Sequence, residues 1–456
     1  MVAQIIFILL FLASVVFFAQ NIKKIRRNIN LGKPLDRTDR PKERWMTMAR
    51  VALGQSKMVV RPVAGIMHIF IYVGFVIINI EVIEIIIDGI AGTHRFLSFL
   101  GPFYDFLIGS FEILAVLTLL ACLVFLVRRN VLKLKRFWMR EMTSFPRTDA
   151  NAILITEILL MTAFLTMNAT DSILQSRSFE HYISAGAFPV SGIYATLFSS
   201  MSSESLMMIE RVCWWFHIIG ILAFLNYLPY SKHFHILLAF PNTYYSNLEK
   251  KGKFTNMDSV TQEVKLMLDP AAVSPEGYQS PTSFGAKDVY DLSWKNLMDA
   301  YSCTECGRCS SVCPANQTGK LLSPRKIMMD TRDRLEEVGK NIDKQKKQQE
   351  ASGRRRLAEG STAAGGSQRI DDGKNLFNYI SEEELLACTS CNACTEACPV
   401  NIDPLNIITE MRRYLVMEQS KMPAEWQMMM NKIETNGAPW QFAQADRANW
   451  IASVAE

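Results

Sequence analysis

The sequence predicts an all-α chain in two parts, a five-helix transmembrane bundle followed by a soluble α-helical domain. Three observations point there. Residues 1 to about 240 carry five long apolar runs, and the remainder of the 456 residues is polar and charged. Eight of the ten cysteines fall in two copies of one motif, Cys303-x-x-Cys306-x-x-Cys309-x-x-x-Cys313-Pro314 and Cys388-x-x-Cys391-x-x-Cys394-x-x-x-Cys398-Pro399. The global figures of 49% hydrophobic residues and net charge +5 average two unlike halves. Nothing in that balance calls for a nucleic-acid partner.

The apolar runs lie near Val2 to Ala19, Val63 to Ile87, Phe103 to Val127, Ala152 to Ala169 and Val212 to Leu228. Each meets, or nearly meets, the roughly 20 helical residues that a hydrocarbon core demands. No lysine or arginine precedes the first run, and Lys23, Lys24, Arg26 and Arg27 follow it. It therefore reads as a retained span with its N-terminus outside, not as a signal peptide. The segment Lys23 to Arg61 holds twelve Lys or Arg and Arg128 to Arg147 holds seven, whereas the loops around Arg95 and Arg177 hold one each. The positive-inside rule makes the basic loops cytoplasmic, and five crossings then place the cysteine-bearing half on the same side of a bacterial inner membrane.

Only six histidines occur. His68 lies about two turns into the second span. His217 and His235 bracket the fifth and are 18 residues apart, five turns of helix, which predicts that both point from one face at opposite depths. Neutral imidazoles facing a bundle interior are natural axial ligands for haem; the plainer alternative is a set of hydrogen-bonded interface histidines. His68 and His235, both towards the cytoplasmic leaflet, are expected to bind one haem b. His217 needs a partner, but Ile78 stands ten residues beyond His68, so His94 in the outer loop Gly92-Thr93-His94-Arg95 is the expected second ligand. His233 is expected to be structural or to sit near a quinone or a propionate, and His181 has no assigned role. Glu81 and Glu84, one turn apart, are expected to be solvated residues at the outer rim, with proton conduction as the alternative. Cys122 and Cys213 read as packing residues.

In the cysteine motif, thiolates two apart on a tight loop can converge on the corners of one cubane, while the fourth, set off by a turn and a proline, reaches the other cluster. That rule groups Cys303, Cys306, Cys309 and Cys398 around one [4Fe-4S] cluster and Cys388, Cys391, Cys394 and Cys313 around a second. Structural zinc is usually served by separated C-x-x-C pairs and fits three evenly spaced cysteines poorly. Disulfides would need an oxidising compartment.

A linker, 241–287, is expected to lead to an α-helical dicluster ferredoxin domain, 288–435. A helix near Trp294 to Tyr301 enters the first run and Ser323-Pro324 caps the helix after it. Ser381-Glu382-Glu383-Glu384 forms a capping box before Cys388, and Asp403-Pro404 opens the helix that leaves Cys398. Between the halves, about 340–372, the polar stretch Lys344 to Gln349, Arg354-Arg355-Arg356 and Gly360 to Gly366 predict a flexible, solvated insert, with contact to anionic lipid or a partner as the alternative.

Pro229-Tyr230-Ser231-Lys232-His233-Phe234-His235-Ile236, with His217 upstream and five spans, resembles the respiratory nitrate reductase gamma subunit, a dihaem cytochrome b. That family places a histidine where Ile78 stands. Asp291 to Lys295, Tyr301 to Cys309 and Cys313-Pro314-Ala315-Asn316 resemble the iron–sulfur subunit of heterodisulfide reductases. The pairing of these halves is similar to membrane complexes that pass electrons from electron-transfer flavoprotein to menaquinone. Such complexes also carry a module with paired Cys-Cys-Gly sequences. No cysteine follows Cys398 and no Cys-Cys pair occurs, so the resemblance implies that this module sits on a separate polypeptide, docked on a tail, 436–456, that includes Asn436 to Trp440, Arg447 and Trp450. The expected function is an electron-transfer subunit linking a cytoplasmic flavoprotein or iron–sulfur partner, two clusters, haem b and menaquinone. Alternatives are a membrane-anchored redox sensor or scaffold, and quinol-driven reduction of a cytoplasmic disulfide.

Overall fold

The structure, a computed structural model, describes residues 1–269, 271–274, 283–351, 369–441 and 443–454. Five helices are long and apolar enough to cross a membrane: α1 (Val2–Ile29), α2 (Pro62–Ala91), α3 (Pro102–Leu126), α4 (Ser144–Ser176) and α5 (Ser203–Tyr227). Proline at the first helical position opens α2 and α3, where its missing N–H costs nothing. Ser202 caps α5 by accepting the Ser205 N–H. Inside the bundle, Ile108, Phe111 and Ala115 of α3 pack with Leu160 and Phe164 of α4 and Ile78 of α2. Ile5, Leu9, Leu12 and Val16 of α1 stay exposed, as a helix turned towards lipid requires.

The expectation that one helix face carries His217 and His235 does not hold. The fifth helix ends at Tyr227, two short turns follow, and His235 opens a separate helix, α6 (His235–Tyr244). Pro229 cannot continue the helical ladder, and a buried carboxylate on α4 fixes the break. Asp149 accepts hydrogen bonds from the hydroxyls of Tyr227 (2.5 Å) and Ser231 (2.7 Å) and from the Lys232 N–H (3.2 Å). The Ser231 hydroxyl in turn accepts the His233 N–H at 3.1 Å.

The soluble half includes α7 (Trp294–Ser302), α8 (Arg308–Val312), α9 (Pro324–Ala351), α10 (Glu382–Leu386), α11 (Ala393–Ala397), α12 (Pro404–Arg413) and α13 (Ala424–Asn436), and no strand occurs among the described residues. Ser293, Ser381 and Asp403 cap α7, α10 and α12 with their side chains. α9 runs through Lys344 to Gln349, so the start of the expected flexible insert is helix. Its polar composition hid a stripe, Ile327, Leu335 and Val338, that is buried against the domain. Arg354 to Arg356 and Gly360 to Gly366 lie outside the described residues. The start of the expected linker is likewise built in: Asn242 of α6 donates to the Val400 carbonyl at 2.8 Å and accepts from Lys295 at 3.0 Å.

The two halves share one core, in which Ile25, in the last turns of α1, and Leu31, just beyond it, pack with Leu297, Tyr301, Leu335 and Ile407. Beyond α1, Lys33 donates its N–H to the Leu292 carbonyl (2.7 Å) and accepts the Trp294 N–H (3.0 Å). At Gly32 a Cβ would stand 2.6 Å from the Trp294 nitrogen, so only glycine permits this approach. The basic loops hold the domain from the same side of the bundle: Arg61 donates to the Ser311 hydroxyl (2.6 Å), Arg308 to the Lys57 carbonyl (2.7 Å) and Arg325 to Glu141 (2.7 Å). Burial alone would raise the Glu141 carboxyl, but Arg325 and the Ser323 hydroxyl hold it below its usual value of 4.5. A depressed carboxylate stabilises the fold above its unfolded pKa and loses that contribution as pH falls through the folded one. The contact is therefore expected to weaken below pH 4.5, seen as faster hydrogen exchange in Arg136–Glu141, and Glu141→Gln is expected to show fast exchange there already at pH 7.

Candidate functional site

The two cysteine runs have the same backbone. Glu305 and Ser390, each two residues after the first cysteine, sit at φ 52° and 58°, and Gly307 and Asn392, each four after it, at φ 70° and 61°. Left-handed residues at these spacings curl the chain so that three thiols face one point. Glycine is required at 307 for a second reason, because a Cβ there would lie 2.6 Å from Arg325 Nη1. Asparagine serves at 392 because it tolerates the left-handed region.

The structure brings each fourth cysteine to the other run. Burial, then Cys306, Cys303, Cys398 and Cys394 in that order, push the Cys309 thiol well above its usual range. Burial and then Cys306 push Cys398 up to about 12. Cys313 is raised by burial, against the opposing backbone N–H groups of Asn316 and Ala315, and by Cys388 and Cys391. Cys313, Cys388, Cys391 and Cys394 line one cavity, backed by Leu405 and Ile408. The Ile402 N–H points at Cys398 Sγ (3.3 Å) and the Ser390 N–H at Cys388 Sγ (3.4 Å). Converging buried thiols, inward N–H donors and, at the Cys313 set, a cavity between the sulfurs fit a cationic iron–sulfide core. Each set has two buried cysteines, and the sets differ in access at Cys391, which is exposed, whereas Cys306 and Cys309 are half-buried.

Next to the Cys303 set stand His68, His233 and His235. The His233 and His235 rings are 5.6 Å apart, and Phe224 meets His233 edge-on at 5.2 Å. Burial first, then the charges of His235 and His68, push His233 down to about 3. Burial also lowers His235, opposed by the Lys232 carbonyl 3.0 Å from its Nδ1. That bond leaves Nε2 free, the arrangement of a metal-ligating histidine whose other nitrogen is fixed by a backbone oxygen. His68 Nδ1 is buried without a hydrogen-bond partner. The segment is tied to the first cysteine loop, because Lys232 forms an ion pair with Glu305, between Cys303 and Cys306.

His217 is 2% exposed, with Nδ1 3.0 Å from the Leu160 carbonyl and its ring 6.1 Å from Phe164. His94 is not brought to it. Its ring packs on His181 (5.4 Å) and Tyr182 (4.9 Å), with Nε2 3.6 Å from Asp171. The loop cannot fold back because buried Arg95 anchors it to Asp171 (2.6 Å), Tyr104 (3.1 Å) and Asn168 (3.0 Å). Glu81 and Glu84 belong to this region and are 4% and 3% exposed. They are interior groups, not the solvated rim expected. Glu84 accepts from the Tyr104 hydroxyl (3.1 Å) and the Leu97 N–H (2.8 Å). A carboxylate pair one turn apart in an otherwise apolar run, with a lone arginine just beyond, was the available signal.

Residues 299–402 match the family model of the 4Fe-4S dicluster domain. The chain is 32% identical to a probable iron-sulfur-binding oxidoreductase, FadF, of Bacillus subtilis, over 98% of this chain and 60% of that protein. It is 27% identical to an EtfAB:quinone oxidoreductase of Syntrophomonas wolfei, over 98% of this chain and 59% of that protein. Over 28% of the chain it is 27% identical to one component of a ferredoxin/F(420)H(2)-dependent CoB-CoM heterodisulfide reductase of Methanosarcina acetivorans, covering 52% of that component. No solved structure matches. The chain is thus a relative of iron–sulfur oxidoreductases, and it spans about three fifths of the length of the two that it matches from end to end.

Proposed function

We propose that the chain is the electron-transfer part of a membrane-bound, quinone-linked oxidoreductase, working between a cytoplasmic partner at its soluble domain and menaquinone in the bilayer. In this reading Cys303, Cys306, Cys309 and Cys398 hold one [4Fe-4S] cluster, Cys313, Cys388, Cys391 and Cys394 hold the other, and His68 with His235 hold one haem b. When bound, these groups supply the one-electron couples that protein side chains lack. The observation that carries the reading is the order of the three sites. The Cys313 set opens to the surface at Cys391, no cysteine of the Cys303 set is exposed, and the histidine group is tied to the Cys303 set through Lys232 and Glu305.

The chain's own residues provide the positioning. Lys232 and Arg332 both pair with Glu305, which fixes the first loop against the histidine segment. Arg308 holds the same loop to Lys57. Leu405 and Ile408 keep water from the inner wall of the exposed set. The basic loops that grip the domain favour the cytoplasmic side. The relative named for EtfAB and quinone favours an electron-transfer flavoprotein as partner, and the heterodisulfide reductase relative favours a further iron–sulfur protein. Either would meet the edge at Cys391, with Trp440 and Trp450, 63% and 64% exposed, as apolar anchors. His217 has a free Nε2 but no histidine opposite it, so the reading assigns one haem.

The test is the full chain purified in detergent and assayed for iron, sulfide and pyridine haemochrome. About eight irons per chain and a b-type spectrum reducible by a menaquinol analogue are expected. His68→Ala and His235→Ala are each expected to abolish the b-type absorbance and leave the iron content unchanged. Haem retained in both variants overturns the histidine assignment, and a spectrum that quinol does not reduce overturns the quinone link.

A further inference from the structure

The internal repeat extends past the cysteines. Pro324 opens α9 and Pro404 opens α12, and eight residues after each stands an arginine, Arg332 and Arg412. Each reaches back to the cysteine loop of its own run at the same place, two residues after the first cysteine. Arg332 donates to the Glu305 carboxylate at 2.6 Å. Arg412 meets the Ser390 hydroxyl (3.4 Å) and the carbonyls of Leu385 (2.8 Å), Leu386 (3.1 Å) and Cys388 (2.5 Å). The two loops match in conformation and in the arginine, and they differ in the side chain that the arginine meets.

The difference is one of charge. Glu305 is 4% exposed and is shared by Arg332 and Lys232, and Lys232 also lies 3.7 Å from Asp149, so two carboxylates offset the two cations beside the membrane-side set. Ser390 carries no charge, and no carboxylate lies within ion-pair distance of Arg412 among the described residues. Arg413, its neighbour, turns the other way and pairs with Glu410. Net charge and hydrogen bonds around the sulfurs set the potential of an iron–sulfur cluster, and a partly buried cation is felt more strongly than one in water.

We propose that the residue two after the first cysteine is the potential-setting position of each half, with Ser390 leaving the Arg412 charge unopposed so that the surface-side cluster is held at a more positive potential than a carboxylate there would allow. The proposal rests on both runs holding [4Fe-4S] clusters. It makes the loops chemically distinct although their backbones are the same, and it assigns Arg412 and Ser390 a positioning and tuning role, not that of ligands.

The test is a redox titration of the purified full chain followed by electron paramagnetic resonance, with Cys391→Ser used to identify the surface-side signal as the one it removes. Ser390→Glu is expected to shift that signal negative by at least tenfold in the reduction equilibrium, about 59 mV for one electron, with the other signal unmoved. Arg412→Gln should shift it in the same direction and Arg412→Lys should restore most of the loss. Should Arg412→Gln fail to assemble, Ser390→Glu keeps the arginine and still decides. An unmoved midpoint in Ser390→Glu with both clusters present overturns this proposal alone. A wild-type chain without clusters overturns it together with the proposed function.

Discussion

Cys398→Ser is expected to destroy the membrane-side cluster, although its other three cysteines lie in the other run. Iron should fall to about half, and the surviving signal should be the surface-side one. The reason is geometric. Cys398 is buried beside Cys306 and Cys303, and the Ile402 N–H that points at its sulfur fixes it there. Cys313→Ser is expected to give the reciprocal result and spare the membrane-side cluster. A pairing within each run predicts the opposite outcome for both variants, so iron content with signal identity decides between them.

Arg325→Ala is the second large effect. Arg325 is fully buried and donates to Glu141 (3.1 and 2.7 Å), the Arg136 carbonyl (2.6 Å) and the Glu305 carbonyl (3.3 Å). It thus joins the loop between α3 and α4 to the first cysteine loop. Truncation leaves Glu141 charged, buried and unpaired with two carbonyls unsatisfied, a loss of roughly 3–5 kcal/mol. The expected readout is a lower temperature for loss of cluster absorbance and rapid hydrogen exchange across Arg136–Glu141 and Cys303–Cys309. Arg325→Lys should recover part of the stability, since an ammonium keeps the charge but not the planar fork. Unchanged stability in Arg325→Ala would show that the two halves are held elsewhere.

The features legible in the sequence were those with a short period or a fixed spacing. The five spans, the two cysteine loops and the caps at Ser323, Ser381 and Asp403 follow from local patterns, and the structure has them at those places. What the sequence concealed depends on partners distant in the chain. His235 was read onto the helix of His217 because the spacing is right for one helix; the break comes from Pro229 and from Asp149, some eighty residues earlier. Glu81 and Glu84 look like rim residues because the groups beside them, Arg95 and Tyr104, come from the following loop and helix, and only the lone arginine hints at it. The same arginine keeps His94 from His217. The end of α9 read as a loop because Lys344 to Gln349 carry no buried residue of their own; they continue a helix whose buried stripe, Ile327, Leu335 and Val338, lies upstream.

The passage of α1 into the soluble core bears on biogenesis. Asn28 to Lys33 leave the ribosome long before Leu292 to Tyr301, yet those later residues are their permanent neighbours. Bilayer insertion and maturation of the metal-bearing half are therefore steps of one process. A fragment beginning after the last span would lack Ile25 and Leu31, which share the core of Tyr301 and Val338, and is expected to lose stability as a diffusible ferredoxin.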